Sequence, residues 1–381
     1  MQIEPFALER FFAEHEFAVR HNLAASDVEG MALRELLALA DAETSALWDR
    51  LTLGYTESAG HPLLRQEIAA LDHLSPDDIL VCAGAEEALF VTLHALLRPG
   101  DHAVVVWPAY QSLHELARAA GASVTLVELQ AARGWRLDLA EVQAAIRANT
   151  RAVVINFPHN PTGAHISTAE LAGLVAICEA RGITLVSDEV YRFLEHDPAD
   201  QLPAAATLGE YAVSIGVMSK SFALAGLRIG WLATRDRKLQ ERAAELKDYT
   251  TICNAAPSEI LALIALRARE AVLARSRAIV ADNLGRVREL FERHAEVIEW
   301  IEPRAGSVAF PRLRGAEAAA WTSLLIEREA ILLIPGTEFG GWTEHFRIGF
   351  GRRDTAAAPD GLERFIRHSL CDSPVEAAKL T

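Results

Sequence analysis

The sequence predicts an α/β protein: a mostly parallel sheet of seven strands between helices, with a smaller α+β portion attached. Three observations predict it. From about residue 78 to 235, short β-rich runs alternate with longer helical patterns, the alternation that builds parallel sheets. Several of those runs are continuously apolar, as strands covered on both faces must be. The 381 residues, 51% of them hydrophobic, exceed one ordinary core, so a large and a small domain are expected.

In chain order, the candidate strands are Asp78 to Cys82, His102 to Trp107, Ser123 to Glu128, Arg151 to Asn156, Ile183 to Ser187, Ala212 to Val217 and Ile229 to Ala233. Between them, Glu86 to Leu97, Gln111 to Ala120, Leu139 to Ala148 and Thr168 to Arg181 carry helical spacing. Ile229 to Ala233 follows its predecessor so closely that it is the candidate for a single antiparallel strand. Residues 236 to 297 read as helical and end in an amphipathic run, Arg275 to Arg293, which suits a connector. Beyond it, Val297 to Ile301, Ser307 to Phe310, Ile331 to Ile334 and Glu344 to Phe350 are strand candidates. The first 45 residues are helical in pattern and are expected to pack with the C-terminal part. The expected division is 46–282 for the large domain and 1–45 with 283–381 for the small one.

Thirty-seven basic against fifty-two acidic side chains give a net charge of −15, which argues against nucleic acid or an anionic membrane as the main partner. Cys82, Cys178, Cys253 and Cys371 lie far apart with no metal-ligand spacing, and read as reduced thiols. Neither a signal peptide nor a membrane span is legible, so a soluble, cytoplasmic protein is expected, with no metal.

The chemistry is read from the turns that follow the strands, since ligands of open α/β sheets bind beyond the carboxyl ends. Gly84-Ala85-Glu86 opens a helix, Pro108-Ala109-Tyr110 offers a ring, and His159-Asn160-Pro161-Thr162-Gly163 an amide. Asp188-Glu189-Val190-Tyr191 adds an acid and a phenol, and Ser219-Lys220 an amine, with Arg228 eight residues on. Each has an ordinary alternative. Asp188 can be a helix cap, Asn160 to Gly163 a plain turn, Tyr110 simple packing, and Lys220 a lysine snorkelling from a strand end. A buried amine is costly unless its pKa falls or its charge is used, and a depressed pKa makes it a Schiff-base nucleophile.

Gly216 to Trp231, with Lys220 and Arg228 inside it, resembles the cofactor-lysine motif of class I/II aminotransferases, the fold-type-I pyridoxal-phosphate (PLP) enzymes. Tyr55, Gly60, Leu64 and Arg65 match that family's Tyr-x4-Gly-x3-Leu-Arg signature, and Phe346 to Phe350 is similar to its substrate-arginine strand. The resemblance implies a fold-type-I PLP-dependent transferase in which Lys220 holds PLP as a Schiff base. It implies that Asp188 partners the pyridine nitrogen, Tyr191 and Asn160 the ring oxygen, and Tyr110 the ring face. Ala85, Glu86, Ser219 and Arg228 would hold the phosphate, and Arg347 the substrate α-carboxylate, beside Asn160. Tyr55 would reach the phosphate of a neighbouring subunit, hence a homodimer with shared sites. The implied activity transfers an amino group from an L-amino acid to a 2-oxo acid. Ala24-Ala25-Ser26-Asp27 and the Asn156 to Asn160 run also look similar to the capreomycidine synthase-like branch of arginine-processing PLP enzymes. There, elimination and cyclisation or oxidation replace transfer, and Glu14, Glu16, Asp27 and Glu29 would face a guanidinium. Val217 and Glu86 depart from the family, which commonly has Ser or Thr at both places; Ser219, Ser221 or backbone groups would compensate.

Overall fold

The computed structural model describes residues 2–353, 355 and 358–371. Its central sheet has seven strands: β1 (Ile79–Cys82), β2 (His102–Trp107), β3 (Ser123–Glu128), β4 (Thr150–Asn156), β5 (Thr184–Asp188), β6 (Ala212–Val217) and β7 (Gly230–Thr234). Their spatial order is β1-β7-β6-β5-β4-β2-β3. β7 runs antiparallel to both neighbours, and every other pair is parallel. All seven strands lie within a residue or so of their predicted ranges.

Alternation along the strands divides the core into two layers. Ala152, Val154, Val186, Val213 and Ile215 pack with Leu89, Leu93 and Leu113 on one face. Val153, Ile155 and Leu185 pack with Leu171, Leu174 and Val175 on the other. β3, at the sheet edge, is largely accessible to solvent. Helix ends follow local chemistry. Ser167 and Glu170 form a reciprocal capping box before Thr168–Glu179, which satisfies otherwise bare donors. Three helices, Arg237–Lys247, Ala256–Arg267 and Arg269–Arg293, occupy the stretch expected to be helical. They lead to a three-stranded antiparallel sheet ordered β8 (Val308–Ala309), β10 (Phe346–Gly349), β9 (Ile334–Pro335).

The helical reading of the first 45 residues holds only in part. Helix α1 (Ala7–His15), Leu33–Leu37 and Ala42–Asp49 are helical, but His21–Asn22 forms a strand parallel to Ile331–Leu332. The segment after it is extended because its backbone is claimed from elsewhere. Asn22 Oδ1 accepts from the amides of Ala24 and Ala25, Leu23 N–H donates to Leu332 O, and Gly349 N–H donates to Leu23 O. This N-terminal chain touches three cores: Leu8 and Ala24 join one sheet layer, Leu23 and Val28 the C-terminal cluster, and Leu36 the cluster of Leu64 and Ile68.

The contact is so close that side chains are excluded. A Cβ at Gly349 would stand 1.8 Å from Ala25 O, and one at Gly351 2.2 Å from Asp27 O. Gly349→Ala is therefore expected to lower unfolding stability by about 1–3 kcal/mol, the usual range for overpacking. Gly285→Ala, in the long helix where a Cβ meets nothing within 4 Å, should raise it by about 0.5–1 kcal/mol. Denaturant melts of the two variants beside the parent chain provide the comparison.

Candidate active site

The parallel strands bring the ends of β4, β5 and β6 to one rim, above a cavity of about 440 Å³. Ala85, Glu86, Tyr110, Asn160, Asp188, Tyr191, Ser219, Lys220, Arg228 and Arg347 all line it. Tyr55 does not: its side chain is 91% exposed.

Neighbouring strand ends hold one another in place. Asn156, last in β4, lies opposite Asp188, last in β5. Its Nδ2 donates to Asp188 O at 2.9 Å, and its Oδ1 accepts from Asn160 N–H at 2.9 Å. The turn carrying Asn160 is thus fixed by an asparagine that sequence reading did not single out. Asp188 is buried and accepts from Val190 N–H at 3.2 Å. Burial pushes its carboxyl up to about 7, against the pull of that amide, since a charged carboxylate is poorly solvated there. The next residue, Glu189, turns to the opposite side, where Arg192, Ser214 Oγ and Ala205 N–H satisfy it. Tyr191 is wholly buried, yet among the described residues its hydroxyl has no hydrogen-bond partner.

Lys220 is half-buried rather than fully enclosed. Its Nζ donates to Ser26 Oγ at 2.8 Å and lies 5.5 Å from the Tyr191 ring centroid. Arg347 is 1% exposed; Nη1 donates to Asn160 Oδ1 at 3.0 Å and Nη2 to Ala24 O at 2.8 Å, while Nε has no partner among the described residues. Tyr110 donates to Glu9 at 2.6 Å and tilts against Phe6, 4.9 Å away.

Helix α2 (Ala85–Leu96) begins after Gly84, whose φ of 92° suits glycine alone. A Cβ there would also stand 2.6 Å from Arg228 Nη2, so the guanidinium lies against the helix start. Bare N–H groups and a fixed cation make an anion cradle. Glu86 stands beside it, accessible from the cavity but deep within the protein mass. That enclosure lifts its carboxyl to about 7, with Glu9 adding to the rise and Arg228 opposing it. Val217 forms apolar wall, Ser219 faces the cavity, and Ser221 lines a separate small void with Asp72 and Arg192 instead. Ser221 is therefore not among the residues that line the cavity.

The N-terminal segment supplies the far wall. Glu9, Glu16, Ser26 and Asp27 line the cavity, and Arg352 pairs with Asp27 through two bonds of 2.9 Å. Burial raises the pKa of Glu16. Of the four acids expected near a guanidinium, Glu16 and Asp27 are present; Glu14 faces solvent and Glu29 accepts from the Arg353 amide. Glu9, Ser26 and Arg352 were not foreseen. For Ser26 alone there is a sequence signal, the small and polar residues that interrupt a helical pattern at Ala24 to Asp27.

An amine at a strand end, facing a buried acid, an unpartnered phenol and an anion cradle, defines a cofactor-dependent enzyme of amine chemistry. The chain belongs to the aminotransferase class I and II family, whose pattern it matches over residues 20–365; it is a PLP-dependent enzyme of fold type I. Capreomycidine synthase of Streptomyces vinaceus is 33% identical over 90% of this chain and 88% of its own length. Arginine–pyruvate transaminase AruH of Pseudomonas aeruginosa is 29% identical over 77% of each chain. Among solved structures, a PLP-dependent aminotransferase from Streptococcus suis superposes with a TM-score of 0.90 at 28% identity, covering 97% of this chain and 99% of that one. The PLP-dependent cyclase OrfR gives 0.88 at 31%, covering 97% and 98%. The residues present fit the cofactor: the buried Tyr191 hydroxyl has no hydrogen-bond partner among the described residues, the Asp188 carboxyl is raised by burial, and Arg228 stands against the N–H groups that open α2.

Asp188 carries a consequence for the cofactor-free protein. Its folded pKa of about 7 lies above the ordinary 3.8, so the folded chain binds the proton more tightly than the unfolded chain. Its contribution is most favourable below the unfolded value and is lost as pH rises towards about 7. Thermal melts of cofactor-free Asp188→Asn should therefore exceed those of the parent at pH 8 and converge with them towards pH 4.

Proposed function

We propose that this protein transfers the amino group of an L-amino acid with a cationic side chain to a 2-oxo acid, using Lys220. The observation that carries this reading is the charge arrangement of the cavity. Arg347 is a buried cation of the cavity wall; Glu9, Glu16 and Asp27 line the same cavity, and Arg352 is held by Asp27 through two bonds. A substrate matching that pattern has an α-carboxylate and a distal guanidinium or ammonium. The arginine-acting transaminase among the relatives supports the same class.

PLP, when bound, supplies an electron sink for the charge left at the substrate Cα. Asp188 would hold the ring nitrogen's proton, a cationic partner that draws its carboxyl back towards the charged form. Tyr191 and Asn160 would donate to the ring oxygen; Arg347 donates to Asn160 Oδ1 and so leaves the amide NH₂ for this. Tyr110 would cover the ring face. Ala85 and Glu86 N–H groups, Arg228 and Ser219 would hold the phosphate, with Glu86 close enough to neutrality at pH 7 to limit repulsion. Arg347 grips the α-carboxylate with its remaining N–H groups and so sets which Cα bond faces the ring. Lys220 takes the Cα proton and returns it as general base and acid. A homodimer, in which Tyr55 of each copy serves the phosphate of the other, accounts for a tyrosine so exposed on one chain.

The likeness to capreomycidine synthase and to a PLP-dependent cyclase favours a second reading. In it, the same residues break a Cα bond of an arginine-like amino acid and the side chain closes a ring. Holoenzyme incubated with L-arginine and pyruvate separates the two. Alanine formation matched to loss of arginine is expected; ammonia release or a cyclic product without alanine would sink the transfer reading. Lys220→Ala should lower turnover at least about 10³-fold. Glu16→Gln should raise KM for L-arginine about tenfold, the scale of one charge contact, and leave that for L-leucine unchanged. Light scattering should give twice the 41.5 kDa chain mass, and Tyr55→Phe should weaken PLP binding in absorbance titrations without changing that mass.

A further inference from the structure

The hydroxyl that meets the Lys220 amine comes from a part of the chain with no evident catalytic purpose. Ser26 lies 194 residues before Lys220, and its Oγ accepts from Nζ at 2.8 Å. It is not a passing contact, because the backbone on both sides is tied down. Arg347 Nη2 donates to Ala24 O at 2.8 Å, Ser307 Oγ donates to Ser26 O at 2.7 Å, and Asp27 is gripped bidentately by Arg352. Gly349 and Gly351 let this backbone lie where any side chain would collide with it. Three polar ties and two close approaches over four residues leave Ser26 little freedom.

A serine hydroxyl is both donor and acceptor, and its hydrogen rotates to suit. Opposite an ammonium, Ser26 Oγ accepts. Opposite a neutral amine, it can donate to the nitrogen lone pair across the same separation. Lysine is long and rich in rotamers, so an amine freed from covalent attachment needs a partner to stay near the atoms it serves. We propose that Ser26 is a catalytic residue that docks the free Lys220 amine in both protonation states while the amine carries the substrate proton. When Lys220 takes the Cα proton, the ammonium donates to Ser26 Oγ. When it gives the proton up, the Ser26 hydroxyl turns and donates to the amine. No net proton is gained or lost by Ser26. The assignment rests on Lys220 as proton carrier, which transfer and cyclisation have in common, and not on the choice between them.

The test uses PLP-loaded protein in deuterium oxide with a mixture of the proteinogenic amino acids, each followed by mass spectrometry for deuterium entry at Cα. Ser26→Ala should slow exchange of the accepted amino acid about 10- to 100-fold, the range of a lost hydrogen bond to a charged group. PLP affinity by absorbance titration should stay within about twofold, since the hydroxyl meets the amine and not the phosphate cradle. Ser26→Thr, which keeps the hydroxyl, should recover exchange to within about threefold. Parent-like exchange in Ser26→Ala would overturn the assignment, as would equal slowing in both variants, which marks a purely structural role. If the parent protein exchanges no α-proton at all, Lys220 is not the proton carrier and both readings fall together.

Discussion

The organising constraint is the shared direction of the neighbouring strands β6, β5, β4 and β2, which delivers several carboxyl ends to one rim. A parallel strand must be covered on both faces, so its interior residues are apolar and its first free position for chemistry is the turn beyond it. Asn156, Asp188 and Lys220 occupy those positions on or just after β4, β5 and β6. Register then does the alignment: Asn156 stands opposite Asp188 and Asp188 opposite Ile215. β7, antiparallel in this sheet, starts at the same end, with Gly230 opposite Val217, so Arg228 just before it stays on the rim. Polar groups that repel solvent loss individually are collected where a ligand can satisfy them together.

That geometry explains why so much was legible in the sequence. Apolar runs such as Val153 to Ile155 and Val213 to Ile215 are read locally, and the residue after each run is counted off directly. The N-terminal segment followed different physics. Residues 16 to 32 take their conformation from Leu332, Gly349 and Gly351, over 300 positions away, and no local propensity encodes such pairing. Ser26 was missed for that reason, and with it Arg352, whose partner Asp27 lies in the same segment. The acids expected near a guanidinium divided accordingly, because facing the cavity depends on how the extended segment lies and not on charge alone.

The departures at Val217 and Glu86 also look different in three dimensions. Val217 is wall, and Ser219, two residues on, faces the cavity. Glu86 shares its surroundings with Asp188, Glu9 and Arg228, and the enclosure that raises Asp188 raises Glu86 as well. An acid in an anion cradle is tolerable to the extent that the surroundings keep it protonated.

The tie between Arg347 and Ala24 spans 323 residues, and this orders events during synthesis. A ribosome releases the chain from its N-terminus, and contacts of long sequence separation form late. The sheet, with Lys220 and Asp188 on its rim, is complete once β7 has emerged, whereas Ser26 must wait for Ser307, Gly349 and Arg352. The segment around Ala24, made well before its partners, is thus among the last to dock. A nascent chain holds the amine and its acid without their roof, and the pocket gains its far wall only as β10 closes on a segment made over 300 residues earlier.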